Sequence, residues 1–158
     1  MFKTFRVGIG FGLTSAIITT LGVIVGLGFG LDSKLVIISA ILTIAIADSL
    51  SDALGVHIAK EAEGNFTHRE IWRVTIFTFI FKFIFSLTFL PFIIFLSLPL
   101  AIYLSVVWGL LMLSIFSYKL AKFNQERPGK IIFEHLMIAF LVLVLTYLIG
   151  IFINNLVQ

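Results

Sequence analysis

The sequence predicts an all-helical membrane protein with five transmembrane helices, and three observations carry that reading. Of its 158 residues, 60% are hydrophobic and only 12% are charged, whereas about a quarter of a soluble domain is charged. Mean hydropathy is +1.17, and the apolar residues fall into five runs, each long enough for a hydrocarbon core of about 30 Å, which takes about 20 helical residues to cross. The basic residues, finally, collect in alternate loops, the pattern that marks the cytoplasmic side.

The first run covers residues 7–30. Its leader MFKTFR has the basic start of a signal peptide, but the apolar run behind it continues for about 24 residues, well past an h-region of about 7 to 15, so it reads as a span. Small residues recur along it at Gly8, Gly12, Ser15, Thr19, Gly22, Gly26 and Gly30. That spacing of three and four gathers them in one stripe. Lipid gives helices no hydrophobic reason to associate, so close backbone approach across small residues takes its place. The stripe should face another helix, either in the same chain or in a second copy.

The second run, 35–59, ends in the polar stretch IADSLSDALGVHIAKEAEG. The third, 72–96, holds the phenylalanine-rich FTFIFKFIFSLTF, read as lipid-facing and packing surface, and Pro91 should kink it near its end. The fourth, 100–118, is separated from the third at LSLPL, because a proline suits the first turn of a new helix. The fifth covers 131–153. The loops are short, and residues 1–158 form one domain.

Lys3, Arg6, Lys60, Arg69, Arg73, Lys119, Lys122, Arg127 and Lys130 lie at the N-terminus and in the second and fourth loops, against Lys34 alone in the first. The positive-inside rule then puts the N-terminus in the cytoplasm and the C-terminal INNLVQ outside. Lys82 is left over, inside the third span. There is no cysteine, which excludes disulfides, thiolate metal sites and CxxC redox chemistry. Lipid is the surrounding partner, and nothing points to nucleic acid. A short chain without targeting extras points to a prokaryotic inner membrane.

The chemistry concentrates in the second run. Asp48 and Asp52 share a helix face, being four residues apart, and Ser49, Ser51 and Gly55 keep that side small and polar. Counted from the cytoplasmic end at the helical rise, Asp48 lies about 16 Å deep, Asp52 about 10 Å and Lys82 about 15 Å. A carboxylate at such depth costs about 2.5 to 3.5 kcal/mol and needs a partner or a watery cavity. An Asp48–Lys82 ion pair fits these depths. The aspartates could form a structural network, line a cation or proton pathway, or catalyse. Catalysis is the weakest: two aspartates on one helix make a poor shared-proton dyad, and no GxSxG nucleophile motif occurs. An enzyme is not expected.

His57, Glu61 and Glu63 continue toward the cytoplasmic end. Imidazole and carboxylate together suit a first-row divalent cation better than calcium, although charged residues at a helix end are also simply solvated. His68, Glu134 and His135 read as interfacial.

FGLTSAIITTLGVIVGL in the first run, ADSLSDALGVHIAKEAE in the second, a proline late in the third and TYLIG in the last together resemble the vacuolar iron transporter family. The resemblance implies a homodimer through helices 1 and 2, with a polar path between them that carries ferrous iron or manganese out of the cytosol in exchange for protons. The metal would be cargo, with no resident cofactor. Two departures shape the implied site. Ser15 stands where the family's G-x-N-D-G-x-x-T places an aspartate, and Asp52 and Val56 replace the methionine and glutamate of S-M-x-x-G-E-Y. On this reading Asp52 supplies the relocated charge and is the metal ligand, Asp48 is a further metal-site residue and the proton or ion-pair partner of Lys82, Ser15 and Thr19 add oxygen ligands, His57 belongs to the metal site, and Glu61 and Glu63 draw cations to the cytoplasmic mouth. EAEGNFTHREIW leaves no room for the family's cytoplasmic metal-binding domain.

Overall fold

Backbone polar groups in lipid have no water to bond to, so a spanning segment must satisfy them internally, and an α-helix does so residue by residue. The computed structural model describes the backbone of residues 2–157 and the side chains of residues 6–156. The fold is all-helical, with five helical stretches long and apolar enough to cross a membrane. The first is α1 (Phe2–Leu31). The second joins α2 (Lys34–Thr43), one π-helical turn (Ile44–Asp48) and α3 (Ser49–Ala62) without a break. Ser33 starts it, its side chain accepting from the Val36 N–H.

The third stretch opens at α4 (His68–Leu87), where Thr67 and Glu70 bond each other's backbone N–H in a capping box. It continues after a short turn as α5 (Leu90–Phe95). The expected kink is therefore a break. A proline ring clashes with the carbonyl four residues back, and four residues before Pro91 is Leu87, the last residue of α4. The Thr88 hydroxyl donates to the Phe85 carbonyl at 2.7 Å and accepts from Trp108 Nε1 at 3.2 Å, which pins the turn to the next span. That span is α6 (Leu98–Phe123), with Pro99 in its first turn. The last is α7 (Pro128–Val157). Each stretch starts before its predicted limit, and all but the third, which ends at Phe95, run past their predicted end, because polar termini at headgroup depth continue a helix that the apolar run alone does not mark.

α1 is the hub. Half of its membrane-crossing stretch is buried, against 11% for α7. Its small-residue stripe serves packing within the chain: a Cβ on Gly12 would lie 2.6 Å from the Thr78 carbonyl oxygen of α4. At the other end, Gly150 of α7 sits directly on the backbone of Gly26 and Gly30. Ile17, Leu21 and Ile24 of α1 form the core with Ile37 and Ile41 of α2, Phe89, Ile93 of α5 and Leu113 of α6. The outer faces carry exposed Leu50 and Leu54 on α3, Ile80 and Ile84 on α4, and Phe140 and Leu148 on α7, as lipid permits.

Candidate functional site: a lysine and two aspartates inside the bundle

The site is built from the packing of α4 on α1. Val74, Thr78, Lys82 and Ser86 recur every four residues on α4 and are all buried. Gly12 admits this face so closely that the Lys82 backbone nitrogen would lie 3.1 Å from a Cβ there. Lys82 therefore enters beside Ser15, the next small residue of the α1 stripe. The second span approaches from the other side. Its π-helical turn ends at Asp48, and Ser49 closes it, bonding by both N–H and hydroxyl to the Ile44 carbonyl five residues back. Such turns collect at functional sites.

The Lys82 ammonium is the centre. It donates to Asp52 Oδ2 at 2.5 Å and to Ser15 Oγ at 3.0 Å. Ser15 Oγ in turn donates to the same Asp52 oxygen at 2.6 Å. Asp48 Oδ2 also lies 2.5 Å from Nζ, a second ion pair on the same ammonium. The lysine side chain is 1% exposed, while Asp52 is 23% and Asp48 37% exposed. The cation is thus sealed into the bundle and its two anions remain open on the outer face of the second span. With all three ionised the cluster carries one net negative charge.

Depth counting paired Lys82 with Asp48, and that ion pair is present. Lys82 also bonds Asp52, which the counting did not foresee: residues one helical turn apart present neighbouring side chains that a long, flexible lysine can reach together.

The remaining candidates are not gathered here. Thr19 lies one turn beyond Ser15 on α1 and is half-buried. His57 Nδ1 is 2.9 Å from Thr75 Oγ1. Because Thr75 gives its own proton to the Ile71 carbonyl at 2.9 Å, the histidine is the donor. Trp72 packs edge-on against the same ring. Glu63 bonds Lys60 at 2.5 Å, and Glu61 is exposed. Among the described residues no three His, Cys, Asp or Glu side chains converge as a ready metal cage. Of the interfacial residues, His68 accepts from Trp72 Nε1 at 3.0 Å, Glu134 lies 3.8 Å from Lys130, and His135 Nδ1 is 2.7 Å from the buried Ser117 hydroxyl.

One feature was missed in the sequence although its signal is there. Ser39, Thr43, Ala47, Ser51, Gly55 and Ala59 recur every four residues along the second span, and all six are exposed. This second small-residue stripe runs beside the open carboxylates. A Cβ on Gly55 would meet nothing within 4 Å. Small residues facing outward at membrane depth are the usual surface for close helix approach. No protein-family model, curated protein or solved structure matches this chain.

Proposed function

We propose that this protein is a divalent-cation transporter in which the Lys82 ammonium and the transported ion compete for the same two carboxylates. The observation that carries the reading is the asymmetry of the cluster: a sealed lysine behind two aspartates that stay open on the far side. Ionised carboxylates at this depth are costly against lipid, so their open side calls for water or a polar partner. The exposed small-residue stripe beside them supports a second copy of the chain approaching along the second span, with the path at the seam.

The charge arithmetic suits exchange. Two aspartates facing one divalent cation are neutral. The cluster carries one net negative charge, so a cation that enters as one proton leaves, and leaves as one proton returns, keeps the site from holding a net positive charge at a depth where charge is costly. Carboxylate and hydroxyl oxygens are the donor class of manganese and magnesium. The resemblance to vacuolar iron transporters narrows the cargo to manganese or ferrous iron and suggests export from the cytosol.

A second reading is favoured by one observation, that every charge in the cluster already has a partner. The cluster would then be a structural tie in a transport-inactive membrane protein. Manganese uptake into proteoliposomes under an imposed pH gradient separates the two. Wild type should transport and Asp52→Asn should lose most of the flux. Wild type that is folded yet passes neither manganese nor iron leaves the structural tie.

A further inference from the structure

A cavity of 590 Å³ lies where α1, α6 and α7 meet, separate from the lysine cluster. Its polar lining is Arg6, Thr14, Asn124 and His135, and its apolar lining includes Ile18, Phe116 and Ile138. From Arg6 to Ile18 is about 18 Å of helix rise, close to one leaflet's half of a hydrocarbon core of about 30 Å.

We propose that this cavity holds one anionic phospholipid, its phosphate at Arg6 and Asn124 and an acyl chain against Ile18, Phe116 and Ile138. Arg6 is fixed at the mouth, its guanidinium stacked 3.3 Å from the centre of the Phe123 ring. A planar guanidinium can bond two phosphate oxygens at once. His135 is held in the wall by the buried Ser117 hydroxyl. Among the described residues the lining contains no carboxylate, so they offer nothing to the ammonium of a zwitterionic headgroup. Around the turn between α6 and α7 stand Lys119, Lys122, Arg127 and Lys130 against Glu126 and Glu134, and basic pockets between membrane helices at such an end suit anionic headgroups. The apolar length behind the mouth selects a lipid over a water-soluble phosphate.

The test is native mass spectrometry of the purified chain with phosphatidylglycerol and phosphatidylcholine of identical acyl chains. Wild type should retain phosphatidylglycerol preferentially, and Arg6→Gln should lower that preference about fivefold, the weight of one basic residue at an anionic surface. Lys60→Gln, on the same side but outside the cavity lining, should leave it unchanged. Equal retention of the two lipids, or equal loss in both variants, overturns the proposal. So does displacement of the lipid by glycerol phosphate, which would mark a site for soluble phosphate. Should Arg6→Gln not fold, a lipid with a photoreactive acyl chain tests wild type directly. Adducts should concentrate at Ile18, Phe116 and Ile138; adducts spread over Ile84 and Leu148 would mean ordinary lipid contact.

Discussion

Replacing Lys82 by methionine keeps the reach of the side chain and removes its charge, leaving Asp48 and Asp52 facing each other with no counter-ion. Removing one partner of a fully buried ion pair costs about 3 to 5 kcal/mol; the carboxylates left here are partly exposed, so Lys82→Met should lose less than that and still melt below wild type in detergent. Competition adds a second expectation: manganese should restore much of the lost melting temperature, because a cation that binds the folded state stabilises it and here takes the ammonium's place. A structural tie would give the loss without the rescue. At this scale the sequence was informative, since ionisable residues in an apolar run stand out at once and depth counting brought Asp48 and Lys82 to one level. It could not show that one ammonium serves both aspartates. Nor did it show the bonds of His57 to Thr75 and His135 to Ser117, which depend on how neighbouring helices rotate.

The helices were legible because length and hydropathy alone decide spans in lipid, and the break before Pro91 follows from proline chemistry. The π-helical turn was not legible: IAIAD has no residue that demands it, and only the packing of α2 and α3 on their neighbours selects it. The α1 stripe could be seen but not assigned, since small residues favour close approach without naming the partner. Gly12 now has one. Its absent side chain lets α4 bring Lys82 to Ser15, and a Cβ there meets the Thr78 carbonyl at 2.6 Å. Gly12→Leu should push α4 away and cost about 1 to 3 kcal/mol, as overpacking does. Thermal melting in detergent reads that loss, and the manganese-dependent stabilisation should disappear with it.

For the whole molecule, the question is what covers the open side of the two aspartates. On the proposed reading a second copy along the exposed stripe of the second span covers it, and the absence of cysteine makes this easy to examine. Ser51→Cys in membranes should form a disulfide-linked dimer under mild oxidation, while Leu148→Cys on the outer face of α7 should not. The measurement that goes to the centre of the proposal is proton release on metal binding. Manganese should be titrated into wild type and Lys82→Met by calorimetry in buffers of different ionisation enthalpy. If ammonium and cation compete for Asp48 and Asp52, wild type should release about one proton per manganese bound and Lys82→Met should bind manganese releasing none. Equal proton release from both proteins, or no manganese binding by folded wild type, would contradict it.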